Sequence, residues 1–228
     1  MKNLFLWAVL PLMFIGFVGC EKDIDPNLDG ADELHYTTSD EKTIAVDPED
    51  FDAQIVSHTY ENGSGVIKFS KPISKIGEQA FSEKLKLKTI HIPNKVSVIA
   101  FQAFYYCDNL EFVTFGNSVK TIEQGAFANC KKLASVLLPN IETIETSAFS
   151  SCKALNEVTL SGSIKTIGEY AFSSCDVLRI YCKATTPPSL DSDSFWKTDV
   201  TVYVPNASLW KYETDSSWSK YDLVGYDF

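Results

Sequence analysis

No two cysteines in this chain are spaced Cys-x-x-Cys, and there is no His-Glu-x-x-His, no Gly-x-Ser-x-Gly and no phosphate-cradling glycine loop. The usual signatures of zinc proteases, serine hydrolases and nucleotide-binding enzymes are therefore missing. Histidine is scarce: His35, His58 and His91 are scattered, with no carboxylate at helical spacing beside them. Acidic pairs such as Asp47/Glu49/Asp50 and Asp191/Asp193 fall in loop-like stretches rather than in a paired-carboxylate arrangement. Positive charge is outweighed, at a formal −10 overall, which disfavours nucleic acid and repels anionic lipid headgroups. The apolar run Leu4 to Val18 is 15 residues long, short of the roughly 20 that a membrane-spanning helix needs. These gaps predict a protein that is not an enzyme, with no cofactor and no metal.

What is abundant is repetition. Ile-x-x-x-Ala-Phe occurs five times, at Ile76–Phe81, Ile99–Phe104, Ile122–Phe127, Ile144–Phe149 and Ile167–Phe172, at intervals of 22 or 23 residues. Three residues after the Phe stands Cys107, Cys130, Cys152 or Cys175, with Lys84 in the first unit; three further on stands Leu87, Leu110, Leu133, Leu155 or Leu178. A fixed period of this size means stacked coils, because one short unit cannot bury its own apolar face. Alternating triplets follow: Ile90-His-Ile92, Val113-Thr-Phe115, Val136-Leu-Leu138, Val158-Thr-Leu160 and Ile180-Tyr-Cys182. Ile67-Lys-Phe69, 23 residues before Ile90, extends the series by one coil. Period two makes these strands, with outer residues inward and the middle one outward. The Ile-to-Leu stretch has apolar spacings of three and four, as in a short helix or 3₁₀ turn. The expected fold is α/β: a right-handed solenoid of the leucine-rich-repeat kind, one parallel strand per 22–23-residue coil, capped at both ends.

Over roughly residues 65 to 205 the motif resembles the bacterial surface-antigen repeats known as BspA-like or Treponema-type leucine-rich repeats. Their consensus looks like Ile-Gly-x-x-Ala-Phe-x-x-Cys-x-x-Leu-x-x-Val-x-Leu-Pro, and Ile167 to Leu178 matches its first half without a gap. Pro93 and Pro139 after the strand, Cys182-Lys-Ala-Thr-Thr-Pro-Pro188 and Val202-Tyr-Val-Pro-Asn-Ala-Ser208 also look like the family. The chain departs from commoner leucine-rich repeats, which carry an Asn ladder and more leucines. The resemblance implies a surface-tethered adhesion module that binds a host or bacterial surface protein; the alternative is a glycan-capture or envelope-assembly lipoprotein.

Both ends fit that reading. Residues 1–20 read as a lipoprotein signal peptide ending at Phe17-Val-Gly-Cys20, which looks like a lipobox and would leave Cys20 lipidated. The expected location is the cell envelope, as an outer-membrane lipoprotein exposed at the surface and held by the lipid anchor at Cys20. Residues 21–33 are an acidic tether, too polar to fold alone. Residues 34–65 are expected to cap the solenoid with hairpins, one turning at Ser39–Lys42 and one at Asn62-Gly63. The solenoid then runs 66–205, and 206–228, with Trp210, Tyr212, Trp218 and Tyr221, forms the C-terminal cap. Phe195 and Trp196 stand where a sixth Ala-Phe falls.

Removing Cys20 leaves five cysteines, an odd number that argues against a disulfide scaffold. Four occupy one repeat position, as a ladder of small apolar core residues about 4.8 Å apart. In the unit around Phe127, Ala126 is expected inside and Glu123 outside. The candidate binding face is the outward side of the strands. Its central row is Lys68, His91, Thr114, Leu137, Thr159 and Tyr181, continued by Thr201 or Tyr203. A second row, two positions earlier, contains Phe112, Glu157 and Arg179. Exposed Phe112, Leu137 and Tyr181 flanked by charge make an apolar patch suited to a protein ligand.

Overall fold

The computed structural model describes residues 32–228. The signal segment, Cys20 and all but the last two residues of the acidic tether lie outside the described residues. Among the described residues, no helix is long and apolar enough to cross a membrane.

The chain winds as a solenoid with two strand-bearing walls. One wall carries β5 (Leu87–Ile92), β7 (Phe112–Phe115), β9 (Ser135–Leu138), β11 (Glu157–Leu160), β13 (Val177–Cys182), β15 (Asp199–Pro205) and β16 (Asp222–Tyr226). Pairing within this series is parallel and follows the repeat, for example Val158 opposite both Val136 and Ile180. Branched and aliphatic residues at alternate positions make these segments strands, since only one face of each meets the core. The inward residues Ile90, Val136, Val158 and Ile180 are buried.

A second parallel sheet was not expected from the sequence. It consists of two-residue strands: β4 (Lys75–Ile76), β6 (Val98–Ile99), β8 (Thr121–Ile122), β10 (Thr143–Ile144), β12 (Thr166–Ile167) and β14 (Ser189–Leu190). Each ends on the Ile that opens the repeat motif, or on Leu190 in its place. The wall that follows, where spacings of three and four suggested helix, is built of successive turns. In each coil the residue before the Ala and the second residue after the Phe take positive φ, as at Gln102 (51°) and Tyr106 (56°) or Ser147 (56°) and Ser151 (61°). Non-glycine residues rarely adopt this conformation. Hydrogen bonds to the next coil hold it: Gln102 N–H donates to the Gln124 carbonyl (3.0 Å), Phe104 to Ala126 (2.7 Å) and Tyr106 to Ala128 (3.0 Å). Consecutive turns repeat apolar positions every three or four residues just as a helix does, so spacing alone could not separate them. The described residues contain one α-helix, α1 (Leu209–Thr214).

The core between the walls is a set of ladders. Phe81, Phe104, Phe127, Phe149 and Phe172 stack ring on ring at 4.8–5.3 Å, with the Ala of each motif buried beside them. The sixth pair is Ser194-Phe195: Phe195 stacks on Phe172 at 5.9 Å, and Ser194, fully buried, bonds the Gly168 and Asp191 carbonyls. The cysteine ladder is present and reduced. It also makes contacts the sequence did not disclose. Cys107, Cys130 and Cys152 each direct a thiol S–H to the carbonyl of the preceding coil's Phe, at 3.0–3.2 Å. Thr198 ends the ladder, its hydroxyl donating to the Phe172 carbonyl at 2.7 Å. Burial pushes the Cys107 and Cys175 thiols up to about 12 and those of Cys130 and Cys152 well above their ordinary value. All four are thereby removed from thiolate chemistry.

The N-terminal cap differs from the two expected hairpins. β2 (Ile55–Glu61) and β3 (Ser64–Phe69) do pair antiparallel across Asn62-Gly63, whose positive φ values (51° and 86°) suit a tight hairpin turn. The Ser39–Lys42 turn leads to no strand at Thr43–Val46. Instead β1 (Glu33–Thr38) lies antiparallel between β3 and β5, so both of its edges are occupied and neither is left for Thr43–Val46. Tyr36, opposite Gly65 in this pairing, lies where a β-carbon on Gly65 would stand 2.2 Å from its ring. Phe51 closes the aromatic ladder against Phe81 (6.1 Å), and Tyr221 and Trp218 close it against Phe195 (5.1 and 6.3 Å).

The strand wall is interrupted once. Its ladder divides between β7 and β9, whereas the sheet of two-residue strands runs unbroken from β4 to β14. Just after β7, β11 and β13, Gly116, Ser161 and Lys183 donate an N–H to the Ile92, Leu138 and Leu160 carbonyls of the preceding coil. Pro139 occupies the corresponding place after β9 and has no N–H to give.

Candidate binding face

The strand register places the outward residues in two rows. Leu137, Thr159, Tyr181 and Tyr203 are successive partners, as are Ser135, Glu157, Arg179 and Thr201. Across the interruption, His91 partners Thr114, and Thr89 partners Phe112. Tyr203 thus continues the central row and Thr201 the second.

Lys68 is not brought together with the others. β1 stands between β3 and β5, His35 occupies the place next to His91, and the Lys68 ammonium donates to Glu33 at 2.9 Å. That hydrogen bond and the lysine's charge hold the Glu33 carboxyl below its usual range. The insertion was invisible because a strand's alternation does not say which neighbour it pairs with.

The remaining candidates differ in how much surface they offer. Leu137 is 61 % exposed, and Thr114 and Arg179 are exposed; His91, Phe112, Glu157, Thr159 and Tyr181 are half-buried. His91 Nδ1 and the Thr114 hydroxyl lie 2.8 Å apart. Tyr181 stacks on Tyr203 at 4.7 Å, and Tyr226 meets both edge-on at 5.4 and 5.8 Å. Burial, and then the nearby Glu157 carboxylate, raise the Tyr181 hydroxyl above its ordinary value. Tyr226 was missed by sequence reasoning, which took the tail only as a cap. In the structure β16 pairs with β15 and brings the tail back onto this face. Trp218 and Tyr212, by contrast, are fully buried cap residues.

The other histidines serve the cap. His58 Nε2 lies 2.7 Å from the Tyr36 hydroxyl, and burial lowers its pKa. His35 is buried beside Glu33. Among the described residues no three His, Cys, Asp or Glu side chains are grouped to hold a metal ion. The arrangement is a strand platform with one projecting leucine, an aromatic cluster at its C-terminal end and charged groups between them.

The profile of the BspA-type leucine-rich-repeat region matches residues 59–200 in six copies. Among solved structures, the pneumococcal vaccine antigen PcpA is similar at 20% identity and a TM-score of 0.56, over 69% of this chain and 40% of PcpA. The chain thus spans about two fifths of that antigen's length. A leucine-rich-repeat protein of T. pallidum matches at 20% identity and a TM-score of 0.44, over 66% of this chain and 76% of its own. One from Bacteroides ovatus matches at 20% identity and a TM-score of 0.36, over 65% and 50%. No curated protein matches the chain in sequence.

Proposed function

The chain belongs to the BspA-type leucine-rich-repeat family, and on that premise we propose that it is a bacterial cell-surface binding module whose strand face recognises a host or bacterial surface protein. The observation that carries the reading is the exposed Leu137 on β9, with half-buried Tyr181 two strands along its row, half-buried Phe112 across the interruption on β7, and charged Glu157 and Arg179 in the adjoining row. Apolar side chains with polar groups beside them on one face suit protein association. In this reading Cys20 carries a lipid that holds the chain to the outer membrane, and residues 21–33 tether the solenoid beyond it.

A protein partner is favoured over a glycan by the aromatic geometry. Sugars pack on ring faces, whereas Tyr181 and Tyr203 turn one face each toward the other and are flanked by Tyr226. The solenoid is read as a binding scaffold rather than a catalyst, in keeping with its membership of a leucine-rich-repeat family.

The test uses cells that display the chain, scored for fractionation and for adhesion to a panel of immobilised host matrix proteins. Cys20→Ser should move the chain out of the membrane fraction. Leu137→Asp should leave folding and membrane association intact and lower adhesion at least tenfold, roughly the loss expected at a central contact. Gln124→Ala with Glu169→Ala, both exposed on the turn wall, should leave adhesion unchanged. Loss of adhesion in that control, with none in Leu137→Asp, would put the recognition surface on the other wall.

A further inference from the structure

The chain contains 19 lysines and a single arginine, Arg179. Several lysines pair with carboxylates of neighbouring coils or strands: Lys131 with Asp108, Lys153 with Asp176, and Lys120 and Lys165 both with Glu142. Arg179 does not. It is exposed on the strand face and forms no ion pair with any described residue, although Glu157 is its direct register partner on β11. The position is otherwise well held. The Arg179 N–H donates to the Asn156 carbonyl at 3.0 Å, and the next outward residue, Tyr181, is fixed in the tyrosine cluster. Val177, the outward residue on its other side, is 61 % exposed.

We infer that Arg179 is the specificity-determining anchor of the binding face, receiving a side-chain carboxylate of the protein partner while Glu157 takes a basic side chain beside it. This rests on the reading of the strand face as a protein-binding surface. A planar guanidinium offers paired donors that match a carboxylate, which an ammonium does not. Arg179 and Glu157 sit on adjacent strands, about 4.8 Å apart, so they read two neighbouring charges of opposite sign. Val177 supplies apolar contact next to them. A chain of formal charge −10 has no long-range attraction for an acidic partner. Recognition of the carboxylate is therefore short-range, within the screening length of about 8 Å at physiological salt.

The experiment pans a random twelve-residue peptide library on the purified wild-type chain and on Arg179→Gln, Arg179→Lys and Leu137→Asp. Wild type should enrich peptides that carry Asp or Glu near a Lys or Arg. Arg179→Gln should lose the acidic preference and weaken the best peptide at least tenfold, with Arg179→Lys intermediate, since a point charge replaces a planar fork. Because the chain has one arginine, its Nε–H gives a single NMR signal, which should shift on adding an enriched peptide and not its Gln/Asn counterpart. Peptides that bind wild type and Arg179→Gln equally but fail on Leu137→Asp would overturn the anchor and leave the binding face standing. Peptides indifferent to both changes, or no enrichment at all, would overturn both. Arg179-dependent binding of sialylated glycans in a parallel array, without peptide enrichment, would overturn the choice of a protein partner.

Discussion

The turn wall and the strand wall are made by the same coils and carry opposite kinds of information. On the turn wall each coil repeats its neighbour: Phe on Phe, thiol to Phe carbonyl, positive φ at the same two places. On the strand face the outward positions read Phe112, Ser135, Glu157, Arg179 and Thr201 in one row and Thr114, Leu137, Thr159, Tyr181 and Tyr203 in the other. A position that holds a stack together has few solutions, set by the spacing of the coils. A position that faces solvent has many, and is available for recognition.

The contrast predicts an ordered set of effects. The largest is Ala126→Asp, which puts a charge into a fully buried site beside the stacked Phe127; a loss of about 3–5 kcal/mol, enough to abolish cooperative unfolding, is expected. Gln124→Lys, two residues away but exposed, should change the urea midpoint by no more than about 0.5 kcal/mol equivalent. Glu123, expected to face outward, is not a neutral comparator. It is half-buried and its carboxylate accepts the Phe101 N–H at 2.9 Å, a bond worth about 1.5–3 kcal/mol.

A middle-sized effect separates the chemistry of the cysteine ladder from its volume. Cys130→Ala removes the S–H that reaches the Phe104 carbonyl and should cost about 1–2 kcal/mol. Cys130→Thr supplies a hydroxyl to the same acceptor, as Thr198 does in the final coil, and should cost less. Equal unfolding midpoints for the two variants would mean that the ladder is packing alone.

The smallest effect concerns acid. Burial acts to raise the pKa of Asp52, but its hydrogen bonds from the Ser74 N–H (3.1 Å) and hydroxyl outweigh it, and the carboxyl is held below its ordinary value. The folded pKa lies below the unfolded one, so the stabilisation is complete above about pH 4 and fades as pH falls through the folded value. Asp52→Asn should flatten the stability profile in that acid range and leave it parallel to wild type above. Unchanged curvature would show that Asp52 does not couple the cap to the first coil.

Much of this molecule could be read from its residues, and what escaped did so for identifiable reasons. The period, the buried Ala-Phe pairs and the cysteine ladder follow from residues that recur at fixed intervals. The two rows of the strand face follow from alternation once register is set by the repeat. Turns carrying the positive φ of Gln102 and Tyr106 were hidden because they share a helix's apolar spacing. β1 was misplaced because its partners lie 29 and more residues away, and Thr38 to Val46 offered a nearer hairpin. On the strand face, alternation identified Arg179 and Leu137 as outward but could not show that Phe112 and Tyr181 are half-buried. Nor could it show Tyr226 returning beside Tyr181, because no repeat extends into the tail.

The interruption of the strand wall beside Pro139 has a mechanical consequence. The solenoid is a beam whose turn side carries an unbroken short sheet and whose strand side is jointed once, between β7 and β9. Flexing that splays the strand side meets fewer hydrogen bonds at this joint than anywhere else along the wall. Phe112 lies on one bank of the joint and Leu137 on the other. The proposed recognition surface thus spans the one place along the strand wall where neighbouring coils are not joined by a strand ladder.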